Sequence, residues 1–291
     1  MAHAIKLSGS IGTDRQGYAK LMEFYRACHQ HRDQMIELDL RHLNWLDANL
    51  CALLQAVLFE LSRQRGLHFK VDIDLVRLRF PVLLRNGFVP TAGRGGQWAT
   101  FSTDFSTSVA MRAFDPKDDP GFCAYLMEEL FKQPDLQAVL SEEETDSITN
   151  HILDIFVNVQ EHAATPHPVF ACGQYYPTKK CLKFTLTDVG VGYGASIEKY
   201  TRMQGDALAV VQTSEAAIRW ALVGNSTKGP GNGGMGLSNL WQYCKQNKGE
   251  LHVATGGTYF AQNGHALWHP VPEFAGSTVH LIFNCKPNVP V

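Results

Sequence analysis

Apolar and polar positions alternate along this chain with two clear periods. Apolar residues recur every three or four positions, as on one helix face, at 17–31, 48–65, 80–86, 122–132, 141–163 and 206–223. Apolar and polar residues alternate, as in strands, at 4–12, 35–40, 67–73, 169–175, 182–187, 250–255 and 276–283. The order strand, helix, strand, helix before residue 90 predicts a small α/β layer with at least one parallel crossover.

Local signals place the ends of the longest predicted helices. Asp47 occupies an N-cap position, and Gly66 follows the last apolar residue of the same helix. Ser141 and Glu144 form a capping-box pattern, in which the hydroxyl accepts from a backbone N–H one turn on and the carboxylate reaches back. The helix that starts there is predicted to be the longest in the chain.

These elements predict an α/β (α+β) protein of two units. The chain has 291 residues, of which 45% are hydrophobic, so it is able to bury a substantial core. Periodicity is lost over 89–120, where Gly, Ser, Thr and Pro are frequent. We therefore predict a first domain at 1–115, a linker with a helical connection at 116–140, and a second domain at 141–291.

Charge and cysteine usage restrict the classes of function. Lys plus Arg is 26 and Asp plus Glu is 28, which gives a net charge of −2 and no sign of a nucleic-acid partner. The seven cysteines are scattered, as expected of reduced, mostly buried thiols in a cytoplasmic protein. No apolar run approaches membrane-spanning length, so we expect no membrane association.

A glycine-rich stretch, Asn225 to Leu237, carries the clearest sign of chemistry. It contains five glycines within eight residues and then becomes helical in pattern. Glycine permits close approach of the backbone to a ligand, and the free N–H groups at a helix start bind anions. The stretch therefore predicts a phosphate cradle, although a mobile surface loop would show the same composition.

Two upstream segments add polar groups that fit a nucleotide. Asp154, Asn158 and His162 lie four residues apart, so one rail of the long helix presents a carboxylate, an amide and an imidazole. Asp188 ends a predicted strand and is followed by alternating glycines, which would put a carboxylate at a pocket mouth. Taken separately, the first is also typical of a solvated face and the second of a strand-to-helix turn.

Four motifs occur in one order: DIFVNVQEH at 154–162, DVGVG at 188–192, the glycine-rich stretch, and GST at 276–278. Together they resemble the GHKL (Bergerat-fold) ATP-binding domain of gyrase, heat-shock chaperones, histidine kinases and mismatch-repair ATPases. The anti-sigma-factor serine kinases are the most similar in style. The resemblance covers about 141–285 and implies a two-layer α/β sandwich with a mixed sheet that holds ATP and Mg²⁺.

The resemblance implies a role for each matching residue. Asn158 would coordinate Mg²⁺, and Asp188 would accept a hydrogen bond from the adenine amino group. Thr278 would lie near that aspartate. The remaining residues would surround the base and phosphates: His162, Gly190, Gly192, Lys228, Gly231, Gly233, Gly234, Met235, Gly236 and Leu237.

Asp154 departs from the glutamate that usually serves as general base in the hydrolytic and serine-kinase branches of that superfamily. Its arm is shorter by one methylene, and a general base needs hydrogen-bond reach to the proton it takes. Glu161 is a weaker candidate base, because it lies about 300° round the helix from Asn158. His162 belongs to the nucleotide helix, so we do not expect it to accept a phosphoryl group.

Residues 5–95 resemble a STAS-like domain, the fold of the anti-sigma-factor antagonists. The resemblance depends on IELDL at 36–40, WLDANL at 45–50 and FPVLLRNGF at 80–88. In those antagonists a phosphorylatable serine follows the aspartate, whereas here Ala48 and Asn49 occupy the place. A phosphorylation switch on this domain is therefore not expected, and a docking or scaffolding role is.

The combined expectation is a cytoplasmic ATP-binding regulator with a protein partner that contacts the STAS-like unit. Three alternatives stay open: a serine/threonine kinase that acts on a separate protein, a slow ATPase that forms a homodimer through its lid, and a nucleotide-dependent binding module without turnover. The identity of a partner or substrate does not follow from the residues.

Overall fold

The structure is a computed structural model that describes residues 2–89, 107–205, 211–227, 236–247, 249–262, 266–270 and 273–285. The helices are α1 Arg15–His29, α2 Cys51–Arg65, α3 Ile73–Arg79, α4 Pro81–Arg85, α5 Asp119–Tyr125, α6 Pro134–Gln137, α7 Glu142–His162, α8 Gly192–Met203, α9 Ser214–Leu222 and α10 Gly236–Gln246. The strands are β1 His3–Lys6, β2 Gly9–Ile11, β3 Met35–Asp39, β4 Leu43–Leu46, β5 His68–Val71, β6 Arg112–Phe114, β7 Val169–Tyr176, β8 Cys181–Thr187, β9 Glu250–Thr255, β10 Thr258–Gln262, β11 Ala266–Pro270 and β12 Ser277–Asn284. A chain of mixed α and β structure is therefore confirmed.

The N-terminal unit contains the predicted parallel crossovers. β3 is the central strand of a three-stranded sheet and pairs in parallel with both β1 and β5. α1 and α2 supply the crossovers between these strands, as right-handed β–α–β connections require. Gly66 ends α2 with a positive φ of 63°, which confirms the predicted C-terminal glycine.

α7 begins where its sequence predicts. The Ser141 hydroxyl accepts from the Glu144 N–H at 3.2 Å, and the Glu144 carboxylate accepts from the Ser141 N–H at 2.8 Å. The capping box is complete, so the orphan donors at this helix start are satisfied locally. With 21 residues, α7 is longer than the other described helices.

A seven-stranded sheet, in the order β11-β10-β9-β12-β8-β7-β6, forms the centre of the molecule. All six pairings between these described strands are antiparallel, whereas a mixed sheet was expected. Short turns join β7 to β8 and β9 to β10, and tight hairpins of this kind give antiparallel neighbours. Strands β10 and β11 were not predicted.

Both faces of this sheet are covered, one by helices of the second unit and the other by the N-terminal unit. Along β8, Leu182, Phe184 and Leu186 belong to the core that α7 and α10 close. The alternate residues Lys183 and Thr185 point to the N-terminal unit and form hydrogen bonds with it. Side chains on successive strand positions face opposite sides, and that alternation gives the sheet its two separate cores.

The contact between the N-terminal unit and the sheet, here called the seam, is built around Asp47. The sequence predicts that Asp47 caps a helix, but its carboxylate makes no capping hydrogen bond. It accepts from five donors instead: Thr13 N and Oγ1 at 2.8 Å each, Trp45 Nε1 at 2.8 Å, Tyr176 OH at 2.9 Å and Lys183 Nζ at 2.6 Å. A buried carboxylate requires such partners, and the cation of Lys183 supplies the strongest one.

Ala48 and Asn49, the two residues after Asp47, also lie in the seam. Asn49 is fully buried and donates through Nδ2 to the Thr185 hydroxyl on β8 at 2.8 Å. The carbonyl of Ala48 accepts from the Cys172 thiol on β7 at 3.1 Å. These side chains are therefore enclosed within the chain.

Three segments differ from the predicted organisation. β6 and the bridging residue Ser108, placed in the first unit on sequence, pair with β7 of the seven-stranded sheet. The glycines after Asp188 were predicted to let the backbone pass close to a ligand, with a strand-to-helix turn as the alternative, and α8 starts at Gly192. The predicted helix at 206–223 is shorter where it is described, and Thr213 caps its start through Ala216 N at 3.1 Å.

Candidate functional site

A cavity of about 730 Å³, open to solvent, lies between α7, α8, α9 and one end of β8 and β12. The apolar part of its wall comprises Ile155, Val159, Leu186, Ile197, Leu237 and Val279. Polar side chains enter the wall at Asn158, His162, Asp188, Ser196, Asn225, Ser226, Thr227 and Ser277.

Asp188 is the buried acidic group of this wall, with an exposed fraction of 4%. It directly follows β8, so the strand end fixes its backbone, and its N–H donates to the Ser277 carbonyl at 3.0 Å. One carboxylate oxygen accepts from Gly190 N at 2.8 Å and the other from Ser277 N at 3.2 Å. A carboxylate has about four acceptor sites, so these bonds leave acceptor capacity for a ligand.

Burial raises the pKa of Asp188 to about 6, although the Gly190 and Ser277 N–H groups oppose this rise. The group is therefore mainly ionised at pH 7 and accepts hydrogen bonds. Placed in a largely apolar wall, such a carboxylate favours a ligand that offers an N–H or O–H donor.

Gly190 lies where a side chain cannot fit. A Cβ added there would approach the Ala163 carbonyl oxygen to 2.2 Å, because the turn after Asp188 packs on the end of α7. The Val191 N–H also donates to that carbonyl at 2.9 Å. The backbone at Gly190 thus makes a close approach, as predicted, but it approaches the Ala163 carbonyl at the end of α7 and not a ligand.

The rail of α7 only partly faces the cavity. Asn158 and His162 line it, whereas Asp154 and Glu161 are exposed and do not. The Glu161 carboxylate lies 3.6 Å from His162 Nε2, and the Thr227 hydroxyl lies 3.3 Å from that same nitrogen. The structure therefore brings two of the four predicted α7 residues to the cavity.

α10 starts directly above this rail. A Cβ on Gly236 would lie 3.1 Å from Asn158 Nδ2 and 3.1 Å from Asp154 Cβ. The helix start therefore meets α7 at the level of Asn158, and Leu237 of the next position lines the cavity. Five predicted residues, Lys228, Gly231, Gly233, Gly234 and Met235, lie outside the described residues.

Thr278 was predicted to lie near Asp188 in the ligand site, but Ser277 is the residue that lines the cavity. Ser277 and Val279 lie on the cavity face of β12, and the intervening Thr278 points to the opposite face of the sheet. There the Thr278 hydroxyl accepts from the Thr187 hydroxyl at 3.2 Å. Residues two apart in a strand share a face, so Ser277 lies on the same face as the apolar Val279, and this alternation in the sequence could have identified Ser277.

Sequence reasoning also missed the wall that α8 and α9 provide. Tyr193 and Ser196 of α8 and Trp220 of α9 line the cavity. Trp220 packs against Tyr200 with ring centroids 6.0 Å apart, and Asn225 Nδ2 donates to the Trp220 carbonyl at 3.0 Å. No motif marked these residues, because their position depends on how two helices pack.

The arrangement has the features that a nucleotide requires. The cavity wall contains a buried acceptor, Asp188, together with Asn158 and with Leu237 at the start of an 11-residue helix. N–H groups at such a start, together with the helix dipole, favour an anion. Donor recognition and anion recognition are therefore present in one continuous space.

No protein-family model matches this chain, and no curated protein matches it either. No helix in the described part of the chain is long and apolar enough to cross a membrane. All seven cysteines are unpaired, and six of them are buried. The functional assignment therefore depends on the geometry of the cavity around Asp188.

Proposed function

We propose that this protein binds ATP with Mg²⁺ in the α7–α8–α9 cavity and acts as a nucleotide-dependent regulator of the GHKL type. The observation that carries the proposal is the buried Asp188 carboxylate, which is held by two backbone donors and retains free acceptor capacity toward the cavity. Such a group selects a ligand with a polarised N–H, and the adenine amino group provides one.

The base would occupy the apolar part of the cavity. Val159 and Leu186 present aliphatic surface from a helix and a strand, and Val279 presents it from the neighbouring strand. The amino group of adenine would donate to Asp188, which is ionised at neutral pH. Ser277 holds that carboxylate in place through its N–H.

The phosphates would extend toward Asn158 and the start of α10. Gly236 packs closely on α7, since a Cβ there would lie only 3.1 Å from Asn158 Nδ2, and the N–H groups at the start of α10 would bind the phosphate charge. Asn158 offers a neutral amide oxygen, which suits Mg²⁺ because this ion keeps several waters and takes few protein ligands. When bound, Mg²⁺ would neutralise phosphate charge.

A second candidate is a binding module without turnover, favoured by the position of Asp154. Its carboxylate is exposed and absent from the cavity wall, and its arm is one methylene shorter than that of glutamate. General-base catalysis requires reach of roughly 2.6–3.2 Å to the proton that is transferred. Glu161 points toward His162 and is likewise outside the wall.

The proposed STAS-like unit would act as a fixed part of this regulator. Ala48 and Asn49 are buried against the sheet face opposite the cavity, so an in-chain phosphoryl acceptor at this place is not supported. A protein partner would therefore contact a different surface of that unit. A kinase acting on a separate protein remains compatible with the open cavity.

Calorimetric titration with ATP and Mg²⁺, run beside a phosphate-release assay, tests the proposal. We expect saturable binding by the wild type and a loss of at least about tenfold in affinity for Asp188→Asn, since an amide presents a donor as well as an acceptor. The matched control is Asp74→Asn, because the Asp74 side chain is 93% exposed on α3.

Absence of binding to folded wild type, or an equal loss in Asp74→Asn, would contradict the proposal. If ATP binds, the phosphate-release assay distinguishes a binding module without turnover from an ATPase or kinase. Binding without release above background supports the module without turnover, and release that Asp154→Asn abolishes supports an ATPase or kinase.

A further inference from the structure

One surface of the seam combines an exposed aromatic ring with cationic side chains. It consists of Trp45, Tyr176, Lys179 and Lys180 and is called the seam patch below. Trp45 Nε1 and Tyr176 OH donate to the same oxygen of Asp47 at 2.8 and 2.9 Å, so these two groups lie less than about 6 Å apart. The Lys179 ammonium lies 5.8 Å from the centroid of the Tyr176 ring. Tyr176 therefore connects Trp45 to Lys179, and Lys180 is the next residue of the same turn.

Trp45 is held in place although 51% of it is exposed. Its single polar atom donates to Asp47, which is itself 3% exposed and accepts from donors of three further residues. What faces solvent is thus the apolar ring alone, fixed by a hydrogen bond. A rigid aromatic side chain of this kind loses little conformational entropy on binding, and tryptophan is enriched among residues that dominate interfaces.

The charge of the patch is positive. Lys179 and Lys180 are exposed on the turn between β7 and β8, and neither forms an ion pair with any residue that the structure describes. The Asp47 carboxylate beneath the patch is neutralised by Lys183 at 2.6 Å. The patch therefore presents the cations of Lys179 and Lys180 beside an apolar ring.

From these observations we infer that the seam patch is a docking site for an acidic segment of a partner protein. An apolar side chain of the segment packs on the Trp45 ring, and its carboxylates pair with Lys179 and Lys180. Complementary charge steers such an encounter, and the fixed aromatic ring supplies the anchor. This inference does not depend on nucleotide binding.

Single-stranded nucleic acid also stacks on aromatic rings beside lysines, but it requires a cationic groove that follows the backbone. The net charge of the chain is −2, and the patch offers two exposed lysines. An acidic peptide, whose carboxylates need only local partners, fits this charge better.

Fluorescence anisotropy with a labelled peptide EEEELFEEEE tests the inference on the full-length protein. We expect saturable binding with a Kd on the order of 10–100 μM, as in weak transient recognition, and weaker binding at higher salt. The Lys179→Glu/Lys180→Glu variant and the Trp45→Ala variant are each expected to bind at least about tenfold more weakly.

The control variant is Lys117→Glu, which reverses an exposed lysine beside α5, remote in sequence from the patch. Its affinity should change less than about twofold if the effect is local rather than one of net charge. If Trp45→Ala proves unfolded by circular dichroism, Trp45→Gln replaces it, since glutamine keeps a side-chain N–H that is able to donate to Asp47 but lacks the aromatic ring, so the same tenfold loss is expected.

Each of the following results would overturn the inference: no saturable binding to folded wild type, equal weakening in Lys117→Glu, or tighter binding of a short oligothymidylate than of the acidic peptide. Binding of the peptide KKKKLFKKKK with the same affinity would also overturn it, because charge would then play no part.

Discussion

Substitution of Asp47 by asparagine is expected to destabilise the whole chain, because Asp47 joins the two units. The variant keeps the shape of the side chain but leaves Lys183 as a largely buried cation without its anion. Removal of one partner from a buried ion pair typically costs about 3–5 kcal/mol of the free energy of unfolding. An exposed pair contributes about 0–1 kcal/mol, so the matched control is Asp74→Asn, which breaks the exposed contact to Arg77.

The pKa of Asp47 gives an independent magnitude with a definite sign. Burial opposes ionisation, but the Lys183 charge and hydrogen bonds from Lys183, Trp45 and Thr13 outweigh it and lower the pKa to about 2. An unfolded aspartate has a pKa of about 3.9, so the difference corresponds to about 2.5 kcal/mol. Because the folded pKa is depressed, this stability is present above about pH 4 and is lost as the pH falls toward 2.

Urea unfolding followed by tryptophan fluorescence at pH 7 and pH 3 measures both effects. From the two pKa values, about half of the Asp47 contribution is lost by pH 3, so the stability gap between wild type and Asp47→Asn should narrow by roughly 1 kcal/mol. The double variant Asp47→Asn/Lys183→Met should lose less than the sum of the single variants. An unchanged gap at pH 3, or additive single variants, would refute the assignment of Asp47 as the ionic centre of the seam.

Three further predictions concern the cavity. ATP affinity, measured by calorimetry, should fall about tenfold between pH 7 and pH 5, because the pKa of Asp188 is about 6 and the ligand needs the ionised form; an unchanged affinity would exclude this carboxylate as the acceptor. Gly190→Ala should destabilise the protein by about 1–3 kcal/mol in urea unfolding and weaken ATP binding, since its Cβ would lie 2.2 Å from the Ala163 carbonyl oxygen. Asn158→Ala should weaken Mg²⁺–ATP binding by roughly tenfold yet leave binding in EDTA nearly unchanged, because the amide acts through the metal; equal losses in both titrations would contradict that role.

Those residues of the candidate site were predictable whose position follows from the sequence pattern of a single helix or strand. Asp188 at a strand end and Asn158 on a helix rail were both predicted, and the structure places both on the cavity wall. Thr278 pairs with Thr187 beside Asp188, but its side chain lies on the other face of the sheet, and Ser277 lines the cavity instead. Asp154 shares a rail with Asn158, but the cavity ends between them.

The seam was not predictable, although its residues were noticed. Asp47 carries an N-cap signal, yet its carboxylate instead bonds Lys183 at a separation of 136 residues. Nothing in the sequence near either residue encodes that pairing. It arises because the alternate side chains of β8 lie on the second face of the sheet, and the N-terminal unit packs on that face and buries them.

The sequence by itself determined the local elements: the capping box of Ser141 and Glu144, the left-handed Gly66, and the strand that ends at Asp188. These depend on contacts within a few residues, which any short segment already contains. Only the tertiary structure decided which sheet face received the N-terminal unit and which side chains line the cavity. Those outcomes depend on pairing and packing between distant segments, where burial and the satisfaction of polar groups outweigh local preference.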